Sequence, residues 1–267
     1  MAALAVDDAA WASPWRRQRV GDKLLLSLAL IMTALVAPVV PGTVLVGVAS
    51  AALILGPAHI RWSMLMGAMS APIVFIALGA ISVLLSVGAS PIDPYWQWGF
   101  LSVTPTSVAM AGRLVLHALA GTLAVMVLAL TTPMSDLLDW MAAHRVPGPL
   151  VEVASLTYRL LFIVWSTAVA LHDTQLRRLG DPPIRSRETA RLRWQATAGA
   201  VGTILVRSWD RARRLESGLA ARGAEDSLAT TSPDRPRDRR LAAGFAGLVA
   251  AIWTVCLAWV LVREAAW

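Results

Sequence analysis

LVEVASLTYRLLFIVWSTAVAL, residues 150–171, is apolar and long enough to cross a bilayer, yet it carries Glu152 and Arg159. A charged side chain at the centre of a spanning helix costs about 3 kcal/mol on insertion scales. Crossing here would oblige the next apolar stretch, WQATAGAVGTILV (194–206), to bring the chain back, and that stretch is too short. The loop between them would then lie outside the cell, carrying Arg177, Arg178, Arg185, Arg187, Arg191 and Arg193. Exporting so many arginines runs against the positive-inside bias. Both stretches are therefore expected on the cytoplasmic side, and that choice sets the architecture.

Working outward, four apolar runs precede this region and one follows it. They lie at 24–40, 42–57, about 63–88, about 107–131, and 242–262 (AAGFAGLVAAIWTVCLAWVLV). The expected fold is all-α: a polytopic integral membrane protein with about five transmembrane helices and a cytoplasmic helical insert. An N-terminal cytoplasmic tail covers 1–23, four spans 24–131, the insert 132–223, a linker 224–240, and the last span 241–267. With the N-terminus inside and the C-terminus outside, all of the 24 Lys and Arg residues except Arg113 and Arg263 are cytoplasmic. The outer loop 89–106 has no Lys or Arg, and its Tyr95, Trp96 and Trp98 suit the headgroup layer. The N-terminus, MAALAVDDAAWASPWRRQRV (1–20), lacks the charged-then-apolar order of a cleaved signal, and the basic residues directly precede the first run, which reads as a retained span.

Composition agrees. The chain is 57% hydrophobic and 15% charged, where a soluble domain carries about 25% charged residues. The +7 balance follows from arginines crowding one membrane side. No aromatic-plus-basic stacking surface accompanies them, so no nucleic acid partner is expected.

The insert reads as three helices: PMSDLLDWMAAHRV (133–146), then about 149–179, then about 187–222. Pro133 suits a helix start, and Pro147–Gly148, Gly180 and Gly223 suit stops. The third ends in RSWDRARRLESGLAARG (207–223). At about 100° per residue, Arg207, Arg211, Arg214, Gly218 and Arg222 share one face, with Leu205, Trp209, Ala212 and Leu219 roughly opposite. Asp210 can pair with Arg214 one turn on. Gly223 fits the position past a helix end where a positive φ is needed. Three readings of the arginine face stand side by side. It is a solvated helix end that compensates the dipole, a contact for anionic lipid, or a docking face for a protein with an acidic groove that receives Arg222.

VGDKLLLSLALIM (20–32), LTTPMSDLLDWMAAHRVPGPLVEVASLTYRLLFIV (130–164) and the 207–223 stretch together resemble the transmembrane T component of energy-coupling-factor (ECF) transporters. The nearest branch is the cobalt type, CbiQ, and the resemblance runs in order over roughly residues 20 to 262. Its most specific element is a pair of Ala-Arg-Gly signatures ending two coupling helices. The second is intact as Ala221-Arg222-Gly223. The first is degenerate, Leu176-Arg177-Arg178-Leu179-Gly180, with Arg178 favoured for the arginine's role. The resemblance implies that each signature arginine docks into one of two cytoplasmic ABC ATPase subunits. ATP-driven motion of the coupling helices would then pass to a membrane substrate-binding S component. It implies a plasma-membrane, multi-pass, non-catalytic subunit that needs no cofactor. Cobalt is the expected cargo, with nickel, biotin or another vitamin as alternatives.

Other candidate chemistry is thin. Lys23 is the only lysine, so no GxxxxGK[ST] phosphate loop exists. Cys256 is the only cysteine, which excludes an internal disulfide. His59, His117, His144 and His172 show no close ligand spacing, so no metal site is expected. Asp136 and Asp139 read as dipole partners near a helix start rather than an acid/base pair. Arg113, inside the fourth span, snorkels to the headgroups or pairs with Asp93 or a partner. A stand-alone secondary transporter, the main rival, predicts ionisable residues at mid-membrane depth and inverted repeats, and neither pattern is evident.

Overall fold

The computed structural model describes residues 2–87, 96–98, 101–144, 146–179, 187–223 and 238–265. It is nearly all helix and divides into two units, Met1–Leu137 with Pro233–Trp267, and Leu138–Ser232. The first unit holds α1 (Ala2–Ala12), a tight turn of 3-10 helix (Pro14–Arg17), α2 (Val20–Val36), α3 (Val44–Leu55), α4 (Trp62–Leu84) and α5 (Pro105–Ala129). It also holds the start of α6 (Met134–Ala143) and all of α9 (Arg239–Ala265). Between α4 and α5 lies a small antiparallel sheet of β1 (Ser86–Val87), β2 (Trp96–Trp98) and β3 (Leu101–Val103), in the order β1-β3-β2. Trp96 and Trp98 of the expected outer loop stand in β2. Tyr95 and Asp93 lie outside the described residues.

α5 is the central post, packed against α2, α3 and α4. It can be central because Ala111, Ala120 and Ala124 form its buried face. Small residues let neighbouring backbones approach: a Cβ placed on Gly47 of α3 would lie 3.8 Å from the Ala120 methyl. Polar side chains pin the helices from within. Ser27 Oγ donates to the Ala124 carbonyl at 2.8 Å, His117 Nδ1 lies 2.8 Å from the Ala34 carbonyl, and Trp253 Nε1 donates to Thr33 Oγ1 at 3.1 Å. Meanwhile Phe75, Leu78, Leu257, Leu261 and Val262 of α4 and α9 face outward. A polar-pinned interior behind an apolar exterior is the arrangement that hydrocarbon demands, since no water is there to satisfy buried polar groups. Among the described residues, helices at Trp62–Leu84, Pro105–Ala129, Gly148–Thr174 and Arg239–Glu264 are long and apolar enough to cross, and a shorter apolar segment covers Val39–Leu55. The chain is a multi-pass membrane protein.

The first two apolar runs depart from simple spans. α2 runs antiparallel to α5, since Ser27 meets Ala124 while Ala34 meets His117. The chain then reverses through Pro38–Thr43, and α3 returns alongside α5, with Thr43 Oγ1 3.5 Å from His117 Nδ1. The reversal thus sits level with His117, about 18 Å along from the first residue of α5 at 1.5 Å per residue. At 12 residues α3 is about 18 Å long, short of the roughly 30 Å hydrocarbon layer. Pro38, Pro41 and Gly42 break the helix early, which counting apolar residues alone does not register. The α2–α3 hairpin as a whole therefore enters and leaves at the same end of α5.

Residues 1–23 differ more. In place of a tail, α1 and the following turn pack onto the helices, burying Ala9, Ala10 and Trp15. Trp15 lies against Phe245 of α9 at 5.4 Å between ring centroids.

The second unit consists of the rest of α6 with α7 (Gly148–Leu179) and α8 (Arg187–Ala220), the latter two packed on each other. These lie within a residue or two of the helices read from sequence, except that α6 starts after Pro133 and stops at Ala143. α7 is itself among the helices apolar enough to cross, despite Glu152 and Arg159.

Candidate functional site

The end of α8 is built by local sequence. Through Ala221 the backbone keeps the four-residue bond, Ala221 N–H to the Ser217 carbonyl at 3.0 Å. It then tightens: Arg222 N–H reaches Leu219 and Gly223 N–H reaches Ala220, each at 3.0 Å. This tightening satisfies carbonyls that a helix end leaves open. Gly223 closes the turn at φ +68°, in the left-handed region expected from sequence. A Cβ there would meet nothing within 4 Å, so backbone conformation, not space, requires glycine.

Ala221, Arg222 and Gly223 are all exposed. Among the described residues, no acid or carbonyl engages the Arg222 guanidinium. Arg207, Arg211 and Arg214 are exposed too, and the Arg213 guanidinium lies 5.5 Å from the Trp209 ring centroid. Asp210 and Arg214 do not form the ion pair that their spacing allows.

The packed face of α8 is rotated from the expected one. Ile204, Ser208, Leu215 and Leu219 are the partly shielded positions, and they fall on one stripe. Leu205 and Trp209, expected inside, are 69% and 62% exposed. Long arginines at one edge of the stripe and indole at the other both stay outside, while smaller side chains let α7 and α8 approach. An uncovered apolar strip, carrying Leu205 and Trp209, therefore runs along α8 across the packed stripe from its arginine face.

The first signature is less defined. Arg177 is exposed and Arg178 belongs to the last turn of α7, its side chain outside the described residues, as is Gly180. Separation still follows from chain length. Leu179 and Arg187 are joined by a step that can span at most about 28 Å. Arg222 lies about 50 Å along α8 from Arg187. The backbones of the two arginine ends are thus about 20 Å or more apart.

The family model for "Cobalt transport protein", CbiQ, matches residues 12–228, from the last residue of α1 to just past this tip. The chain belongs to the CbiQ family. A cobalt transport protein CbiQ of Rhodobacter capsulatus is 34% identical over 87% of this chain and 89% of its own length. Another CbiQ, from Salmonella typhimurium, is 28% identical over 66% of this chain and 79% of its length. A putative fused cobalt transport protein CbiMQ of Methanocorpusculum labreanum is 32% identical over 66% of this chain, a match covering 30% of that longer protein. These are cobalt transport proteins, and this CbiQ-family chain is a membrane component of that class.

The histidines stay separate. His59 sits in the α3–α4 turn at φ +52°, His117 is tied to α2, His144 stacks on Trp140 at 4.1 Å, and His172 is beside Asp173. Among the described residues, no three His, Cys, Asp or Glu side chains come together as a metal group. What sequence reasoning missed lies elsewhere, in Asp7, Arg16 and Lys23. The one signal available was that the only lysine of an arginine-rich chain stands at the start of its first apolar run.

Proposed function

We propose that this CbiQ-family protein is the T component of an ECF-type importer in the plasma membrane, coupling two ABC ATPase subunits to a membrane substrate-binding subunit for cobalt uptake. The observation that carries it is the Ala221–Arg222–Gly223 tip: an exposed arginine, free of partners among the described residues, on a turn that only glycine closes without strain. A fixed turn sets where the side chain leaves the backbone, and the planar guanidinium fork is what a carboxylate or carbonyl groove recognises. The spacing of the Arg178 and Arg222 ends suits two ATPases rather than one. The uncovered apolar strip beside Trp209 and Leu205 suits a membrane partner, and the fused CbiMQ relative is consistent with such a partner being close. In this reading α7 and α8 are cytoplasmic coupling helices.

The direct test is copurification. Tagged protein coexpressed with its cognate subunits should recover ATPase at two copies per chain, and absence of ATPase from the membrane complex would overturn the proposal. Gly223→Ala should leave the fold intact but strain the tip by about 1 kcal/mol, weakening ATPase capture about fivefold.

Topology gives an independent expectation. Cys256 is buried, so a cysteine introduced at position 185 should be the reactive thiol. It should resist a membrane-impermeant maleimide applied to intact cells and react after lysis. Labelling in intact cells would mean that α7 crosses the bilayer, and the cytoplasmic insert would be wrong.

A further inference from the structure

Connecting loops run over protein surfaces, because a buried one carries polar backbone that must find partners. The link from α5 to α6 breaks that rule. Leu130, Thr131, Thr132 and Pro133 are all buried; the Leu130, Thr131 and Thr132 amides bond back to the last turn of α5, and further partners come from the N-terminal segment. Lys23, itself fully buried, donates from Nζ to the Thr131 carbonyl at 2.9 Å. Arg16 Nε lies 3.7 Å from Asp136 Oδ2, and that carboxylate is buried. The Met134 N–H points at Asp7 Oδ1 from 3.5 Å. On its other side the same segment is fastened to the α3–α4 turn, where Ser13 Oγ donates to the Ala58 carbonyl at 3.2 Å.

We propose that residues 7–23 are a positioning strap, in which Asp7, Arg16 and Lys23 clasp Thr131–Asp136, the point where the chain leaves the membrane unit for the insert, and join it to α2 and the α3–α4 turn. A pull on α6 then reaches several membrane helices at once instead of slackening a free loop. Arg16 and Lys23 are positioning residues, acting through Thr131–Asp136. The clasp rests on geometry within the first unit alone, and its part in coupling rests on the T-component reading above.

The test uses Arg16→Asp and the charge swap Arg16→Asp with Asp136→Arg. Arg16 is partly exposed, so its replacement should not prevent folding. In the protein alone, in detergent, Arg16→Asp should speed hydrogen exchange at Leu137 and the α6 amides that follow it by about tenfold, and the swap should restore protection. Unchanged exchange in Arg16→Asp overturns the strap, as does failure of the swap. In proteoliposomes containing the full complex, Arg16→Asp should keep ATP hydrolysis within about twofold while cobalt uptake per ATP falls about tenfold, with recovery in the swap. Normal uptake per ATP in Arg16→Asp overturns the positioning role. If the wild-type chain binds no ATPase, the T-component reading fails while the exchange result still decides the strap.

Discussion

Arg222→Glu is expected to strip the ATPase subunits from the purified complex and to stop cobalt uptake. Truncating one member of a desolvated interfacial charge pair costs about 2 kcal/mol or more, and reversal adds repulsion. That is a loss of roughly 30-fold at one contact. In the proposed assembly two separated arginine ends would hold one ATPase pair, which would amplify the consequence. Breaking one converts a bivalent attachment into a monovalent one, forfeiting the effective concentration that linkage supplies. Arg222→Lys should fall between, keeping the charge but losing the planar fork. Arg263→Gln, at the exposed far end of α9, should behave as wild type. Recovery of ATPases with Arg222→Glu at wild-type yield, with uptake continuing, would show that the tip is not the grip.

How much of this was legible in sequence follows the range of the forces involved. The tip was readable because it is local. A run of helix formers, a glycine and the φ that glycine permits lie within one turn, and Gly223 adopts the left-handed conformation expected of it. Which stripe of α8 faces α7 was not readable, because helical periodicity marks apolar positions without saying which of them a neighbour covers. Ile204, Leu205 and Trp209 are all apolar, and only packing separates the first from the others. The break between the first two runs at Pro41 was legible, but the level of the α2–α3 reversal beside His117 was not, since hydropathy carries no register between helices. The strap was invisible for a third reason. Its contacts join residues more than a hundred apart in sequence, Lys23 to Thr131 and Asp7 to Met134. Nothing in AALAVDDAAWA announces that it packs rather than trails.

Lys23→Met is expected to be among the most destabilising single changes in the membrane unit. The side chain is fully buried, in a chain whose other basic residues are all arginine. A buried ammonium persists only where acceptors meet it, and the Thr131 carbonyl, at the end of α5 where the helix dipole is negative, is such an acceptor. Methionine has similar length and no charge, so packing is largely kept while the carbonyl loses its donor. A hydrogen bond to a charged group is worth about 2–3 kcal/mol. For a chain of this size that lowers the unfolding midpoint in detergent by roughly 6 °C. Lys23→Ala should fall further, since it adds a cavity to the same loss. Lys23→Arg should not rescue either, because a planar fork does not fit the space of a single ammonium. A midpoint for Lys23→Met within about 1 °C of wild type would mean that Thr131 is held by its own helix and that the lysine is a passenger in the core.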